Sequence, residues 1–339
     1  MKTFKIYLLF LYMVLCNATN AKMIIPNKLN PGDQVALITP SYKVTKEQVQ
    51  FSIERIKALG LEPIVFPDVF EQDGCYAGTI ESRANALNNA FSNSKIKAII
   101  AMRGGAGSFQ LLDYVNYKNI EKNPKIFMGY SDITALLISI YTKTGLVTFH
   151  GPMPAQAMTN FSVNYLQKVL MQDEKVLFEN IKEQGDDLIQ TENRIITINP
   201  GIAKGRIIGG NLTLLVNLLG SDYLPKHLKE WQNKILFVED IGEDIYKIDR
   251  MLSQLQKANI LSNISGFVFG LCTDCSVGSM GSISLEETLQ KYFKNLKIPV
   301  FSGAMIGHGS KIFTIPLGVS VEINATEGTI KMLEAAVKK

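Results

Sequence analysis

Between Asp33 and Gly151, short apolar runs alternate with stretches of helical spacing: "QVALITPS", "KEQVQFSIERIKALG", "EPIVFP", "ESRANALNNAFSN", "IKAIIAM", "FQLLDYV", "KIFMGY", "ITALLISIYTKTG" and "LVTFHG". A series of this kind can close on itself only as βαβ units, with right-handed crossovers and a parallel sheet. Ligands of such sheets bind beyond the carboxyl ends of the strands. Four residues fall there, each just after an apolar run: Ser41, Arg103, Ser131 and His150. The topology puts all four on one edge of the predicted sheet.

The pattern weakens between Met158 and Asn199, where "EQGDDLIQTENR" has the composition of a crossing between domains. A second alternation follows: "GRIIGG", "NLTLLVNLLG", "KILFVED", "IYKIDRMLSQLQKANI", "SGFVFGL", "SLEETLQKYFKNL", "PVFSG", and a β-rich end, "KIFTIPLGVSVEINATEGTIKML". The expected fold is α/β. An N-terminal parallel-sheet domain over 22–155 is joined by a linker region, 156–199, to a C-terminal α/β domain over 200–339. A chain of 339 residues that is 46% hydrophobic can fill two such cores. Its formal charge of +4 comes from scattered Lys and Arg, without the basic block or basic and aromatic stripe of a nucleic-acid surface. A small or acidic substrate suits it.

The first residues, "MKTFKIYLLFLYMVLCNATNAK", read as a secretory signal peptide cleaved after Ala21. Lys2 and Lys5 start it, an apolar run extends from Ile6 to Cys16, and small and polar residues follow. The run is well short of the roughly 20 residues that span a bilayer. Cys16 is preceded by Leu15, bulkier than a lipoprotein cleavage site favours. The expectation is an exported, periplasmic protein with no membrane segment after cleavage. Three cysteines then remain, Cys75, Cys272 and Cys275, an odd number that argues against a disulfide framework. The "CTDC" pair lacks the partners of a zinc site, so buried thiols are expected there, with a local disulfide as the alternative in an oxidising compartment.

Ser131, in "PKIFMGYSDITALLISIYTKTG", lies where strand becomes helix, because Ile133, Leu136, Leu137 and Ile140 follow helical spacing until Gly145. That is the position of a nucleophile elbow, with the Asp132 amide aimed where an oxyanion would form. It is equally the position of an ordinary N-cap serine, and the second glycine of G-x-S-x-G is missing. The turn "RGGAGS", residues 103–108, follows another strand and could offer amides to an anion, Gly105 among them. A dinucleotide turn fits it poorly, since Gln110 stands where a third glycine belongs.

A serine nucleophile needs a base, and the chain has three histidines. His227, in "YLPKHLKEW", reads as a surface residue. His150 and His308 both follow strands. The glycines of "AMIGHGSK" leave the imidazole of His308 unobstructed, which puts it ahead. An orienting carboxylate could come from Glu239, Asp240, Glu243 or Asp244 in "KILFVEDIGEDIYKIDR"; Glu239 is first out of the apolar run, and the others are also placed to cap a helix.

In these motifs the chain resembles the LD-carboxypeptidases, the murein tetrapeptide carboxypeptidases related to the microcin C self-immunity peptidases. The matching stretches run from "GDQVALITPS" through "RGGAGS", "PKIFMGYSDITALL", "TFHGPM", "GGNLTLL" and "ILFVEDIGEDIYKIDRML" to "GHGSKIFTIPLG". The resemblance implies a Ser131–His308–Glu239 triad divided between two domains. The Gly-rich turn and the elbow amide themselves suggest an oxyanion site at Gly105 and Asp132, and the resemblance implies a muropeptide or peptidoglycan stem-peptide substrate. It calls for no metal or cofactor, and it admits a homodimer. Arg103 is the candidate for recognising the terminal carboxylate, and His150 a candidate for lining the substrate site.

Two departures stand out: Ala106 replaces the tyrosine usual in "RGGYG", and "SKIF" after His308 differs from the usual Asn-containing version. Both bear on substrate preference rather than on the triad. Two rival readings are a serine peptidase of the same architecture acting on another amide, such as a peptide–nucleotide conjugate, and an exported binding protein that holds a peptide or sugar without cutting it.

Overall fold

The computed structural model describes residues 23–182, 194–279 and 281–339. The leader expected at 1–21 and nearly all of the charged stretch 183–194 lie outside the described residues.

The first half runs β1 (Gln34–Ile38), α1 (Lys46–Ala58), β2 (Glu62–Val65), α2 (Ile80–Ser92), β3 (Ile96–Ala101), α3 (Tyr117–Lys122), β4 (Ile126–Gly129), α4 (Thr134–Thr144), β5 (Thr148–His150). The second half runs α5 (Asn160–Leu170), β6 (Leu177–Phe178), β7 (Ile196–Asn199), β8 (Ile202–Asn211), α6 (Leu212–Asn217), α7 (Leu228–Trp231), β9 (Lys234–Ile241), α8 (Ile245–Lys257), β10 (Gly266–Thr273) and α9 (Leu285–Phe293). It closes with β11 (Val300–Ser302), β12 (Ile315–Leu317), β13 (Ser320–Asn324) and β14 (Thr329–Met332).

The strands form two sheets. Five strands of the first half pair in parallel, and the six-stranded order is β12-β5-β4-β3-β1-β2. The eight-stranded sheet has the order β6-β14-β13-β8-β9-β10-β11-β7, parallel from β8 to β11 and antiparallel outside it. The α/β class and the β-rich end agree with the sequence pattern. The segment "FQLLDYV" forms a 3-10 helix, Ser108–Tyr114, rather than an α-helix.

The two halves are less separable than the sequence suggests. Strand β12 leaves the second half and pairs antiparallel with β5, with Ile315 opposite His150 and Leu317 opposite Thr148. An edge strand of a parallel sheet exposes unpaired backbone groups, and β12 covers those of β5. Nor is 156–199 a bare linker: it holds α5 and strands β6 and β7 of the second sheet.

Helix α4 is the other tie. Its residues from Thr134 to Ile140 are all buried, because α3 packs on one side of it and α6 and β8 on another. A helix apolar all round can be stable only inside such a sandwich. Its first residue is held across the seam, where the Asn211 amide donates to Thr134 Oγ1 at 2.9 Å. The turn that precedes α4 is thereby fixed against the end of β8.

Candidate active site at the domain seam

Ser131 sits between β4 and α4 with φ of +62°, a left-handed conformation unusual for a residue with a side chain. Tyr130 before it is extended, and Ser131–Ile133 make one 3-10 turn that leads into α4. This strained turn is the elbow, and it lifts the serine out of the strand line. Ser131 is half-buried, and its hydroxyl makes no hydrogen bond among the described residues.

The Gly-rich turn lies directly against it. A Cβ built on Gly104 would stand 3.0 Å from Ser131 Cβ, 3.1 Å from Ser131 Oγ and 3.4 Å from the Asp132 amide nitrogen. Any side chain at 104 would therefore occupy the space next to the hydroxyl and the amide. Gly105, exposed and with φ of +124°, faces the Tyr42 ring instead. Sequence reasoning singled out Gly105 and passed over Gly104; the doubled glycine was the available signal.

The elbow and this turn are locked together by Asp132. Its buried carboxylate accepts from Ser41 Oγ at 2.5 Å and from the Ser108 amide at 2.8 Å, and the Ser108 hydroxyl donates to its carbonyl oxygen. Ser41, expected at the sheet edge as a site residue, thus positions Asp132. Arg83, 1% exposed, binds the carbonyls of Pro40, Gly78 and Gly107 and the side chain of Gln110, so one guanidinium ties the surrounding loops. No sequence motif announces Arg83.

The second half supplies a carboxylate and an imidazole. Glu239, near the end of β9, is fully buried, and its Oε2 lies 2.8 Å from His308 Nδ1. With the carboxylate ionised, Nδ1–H is the donor and Nε2 keeps a free lone pair. Glu239 Oε1 has no hydrogen-bond partner among the described residues. The His308 side chain is 9% exposed, so the imidazole keeps a small accessible edge. Gly307 makes the approach feasible. Its φ is +115°, and a Cβ there would stand 2.5 Å from Glu239 Oε2.

The remaining acids divide by role. Asp240 is buried and accepts from Asn211 Nδ2 (3.0 Å), the Thr213 amide (3.1 Å) and the Thr213 hydroxyl (2.9 Å), so it anchors the start of α6. Burial, ahead of the nearby Glu239 charge, raises its pKa. Glu243 pairs with Lys247 at 3.1 Å, and Asp244 is the N-cap residue of α8.

Ser131 meets the pair through Tyr130. The Tyr130 ring stands edge-on to His308 at 5.0 Å between centroids and edge-on to His150 at 5.8 Å. The structure thus joins Glu239 to His308 directly and seats the serine's neighbour against that imidazole. Arg103, half-buried just before the Gly-rich turn, donates to the Lys43 carbonyl at 3.3 Å and sits over the Tyr42 ring. His227 is exposed at the start of α7.

Two expectations are corrected. His150, expected to line the substrate site, is 0% exposed, because β12 and Phe237 cover it; both ring nitrogens lack hydrogen-bond partners among the described residues. Burial, followed by repulsion from His308, holds its pKa down at about 3. Cys272 and Cys275, expected as buried thiols, are half-exposed and joined in a disulfide, whereas Cys75 is a free, exposed thiol. Among the described residues, no group of three or more His, Cys, Asp or Glu could hold a metal ion.

A strained serine turn against a glycine-rich turn, with the tyrosine just before the serine in contact with a histidine held by a buried carboxylate, is the equipment of a serine hydrolase built on two α/β halves. The LD-carboxypeptidase N-terminal domain matches residues 35–151 and the C-terminal domain residues 204–323. The chain belongs to the LD-carboxypeptidase family, and is a peptidase of that family.

A probable murein peptide carboxypeptidase of Bacillus subtilis is 32% identical over 93% of this chain and 95% of its own. The microcin C7 self-immunity protein MccF of Escherichia coli is 29% identical over 89% of this chain and 94% of its own. A crystal structure of the muramoyltetrapeptide carboxypeptidase from Oxalobacter formigenes superposes with a TM-score of 0.76 at 26% identity, covering 88% of this chain and 97% of its own.

The burial of His150 has a sign that can be checked. Its pKa is about 6.5 unfolded and about 3 folded, so between those values the unfolded chain binds the extra proton. Its contribution to stability is complete above about pH 6.5 and is lost as pH falls toward 3, by at most about 1.4 kcal/mol per pH unit. Urea denaturation at pH 7 and pH 5 should show a smaller acid loss in His150→Phe than in the parent. Equal losses in the two proteins would contradict a buried neutral imidazole.

Proposed function

We propose that the chain is a serine LD-carboxypeptidase that releases the terminal D-Ala of a murein tetrapeptide by cutting the bond from the L-centre of diaminopimelate. The observation that carries the reading is the Glu239–His308 hydrogen bond, 2.8 Å long and sealed from solvent on the Glu side, with the imidazole against Tyr130, the residue that precedes the elbow serine. The murein peptide and muramoyltetrapeptide carboxypeptidases among the relatives support the substrate class.

In this mechanism His308 Nε2 takes the Ser131 proton as Oγ attacks the carbonyl carbon, and Glu239 stabilises the imidazolium that results. The Asp132 amide and the Gly104–Gly105 turn receive the developing oxyanion, at about 3–4 kcal/mol for each well-placed donor. His308 then protonates the departing D-Ala amine. A water molecule, deprotonated by the same imidazole, hydrolyses the acyl-enzyme and frees Ser131. Arg103, beside the Gly-rich turn, is the guanidinium assigned to the free carboxylate that an exopeptidase must recognise. Peptidoglycan remodelling or recycling is the setting, and the leader at 1–21 makes the periplasm the compartment.

The likeness to MccF supports a second substrate class, an amide within a peptide–nucleotide conjugate. Incubation with purified disaccharide tetrapeptide, followed by mass spectrometry, should show loss of one alanine. Cleavage of an aminoacyl-nucleotide amide with the tetrapeptide left intact would favour the second class, and binding without cleavage of either would overturn the enzymatic reading.

Ser131→Ala and His308→Ala should remain folded and lose about a million-fold in kcat, and Glu239→Ala about ten-thousand-fold. His227→Ala should stay within about twofold. Ordinary turnover in Ser131→Ala would sink the mechanism. A tagged protein recovered in the cytoplasmic fraction with its leader attached would sink the compartment.

A further inference from the structure

His150 has no part in the chemistry just described, yet it lies at the centre of the seam. It is 0% exposed, and neither ring nitrogen has a hydrogen-bond partner among the described residues. Buried polar groups are nearly always paired, so an unpaired imidazole in such a place calls for an explanation.

The ring contacts supply one. The His150 ring meets the Phe237 ring in a T-shaped contact at 5.4 Å, and the Tyr130 ring edge-on at 5.8 Å. Tyr130 in turn meets His308 at 5.0 Å. Phe237 and Glu239 are two apart on β9 and share one face of that strand. Glu239 closes the circuit on His308 at 2.8 Å. Each member of the proposed triad is thus attached to this chain of rings: Ser131 by the peptide bond to Tyr130, Glu239 along β9 from Phe237, and His308 by direct contact with Tyr130. His150 and Tyr130 each touch rings from both halves, His150 through Phe237 and Tyr130 through His308. The His150 backbone also pairs with Ile315 of β12, the strand that follows the His308 loop.

We propose that His150 is a positioning residue for the reaction: its ring sets Tyr130 against Phe237 across the seam, and so fixes the distance from Ser131 to the Glu239–His308 pair. The proposal rests on the serine-hydrolase reading above. Edge-to-face packing has definite geometry, which makes a ring a better spacer than an aliphatic side chain.

The charge state fits the role. The titratable groups around the ring are the Tyr130 phenol, His308 and, beyond Tyr130, the Glu239 carboxylate. His308 must become cationic during turnover, and a second cation beside it would oppose that step. Burial keeps His150 neutral at working pH, so the spacer carries no competing charge.

The experiment measures kcat, KM and the pH dependence of kcat/KM on the disaccharide tetrapeptide for His150→Ala and His150→Phe, with Ser131→Ala and thermal melting alongside. A misplaced reacting group costs on the order of a hundredfold in rate. The expected result is a kcat about a hundredfold lower in His150→Ala with KM within about threefold, and recovery of most of that loss in His150→Phe. The acid limb of the pH profile should stay in place in His150→Phe.

Full kcat in folded His150→Ala would overturn the proposal. So would a His150→Phe variant as impaired as the alanine, or one with a displaced acid limb, since either makes the nitrogens rather than the ring essential. If His150→Ala melts too low to assay, the phenylalanine variant alone decides by the same two criteria. Activity surviving in Ser131→Ala would instead defeat the underlying mechanism, an outcome distinct from all of these.

Discussion

The hydrogen bond from His308 Nδ1 to Glu239 Oε2 organises the site. It joins the end of a parallel strand to a loop 69 residues further on, with the carboxylate fully removed from solvent. A buried carboxylate is costly unless a partner holds it, and an imidazole facing a cleft has no fixed tautomer unless something fixes it. Each group answers the other's need. The close backbone approach at Gly307 is a consequence, because only a residue without a Cβ can bring the histidine loop over that carboxylate.

The proposed nucleophile, Ser131, comes from the other half of the chain, so its placement depends on how firmly the halves are joined. They share a strand: β12 completes the first sheet from within the second half. They share a buried helix, α4, whose first residue receives a hydrogen bond from the end of β8. Asp132 and Arg83 then tie the elbow to the loops beside it. A strained φ at Ser131 persists because these contacts over-determine the turn. The seam is therefore part of the site and not merely its boundary.

How much of this was legible in the sequence follows from what each feature depends on. The alternation of runs gave the parallel sheets, because period and length are local properties. Ser131, Glu239 and His308 could be singled out because each follows an apolar strand in a recognisable motif. The return of β12 was hidden: "FTIPLG" has the same β character whichever sheet it joins. His150 was misplaced for a related reason. Its position after β5 pointed to the sheet edge, and only the arrival of β12 and Phe237 from distant sequence buries it. Arg83 lies in the middle of a helix with no signal to mark it, and Gly104 was overshadowed by its neighbour in "RGGAGS". The "CTDC" spacing left thiol and disulfide open, since pairing depends on the turn at the end of β10 and not on spacing alone.

The central claim is that the seam between the halves makes one serine a nucleophile. It is tested most directly by treating the folded protein with a fluorophosphonate, which labels activated serines, and locating the adduct by peptide mass spectrometry. The account predicts one stoichiometric adduct, on Ser131, formed by the parent protein and severely slowed in Glu239→Ala and His308→Ala although Ser131 is present in both. Labelling of Ser131 at the parental rate in those two variants, or of a different serine in the parent, would contradict it.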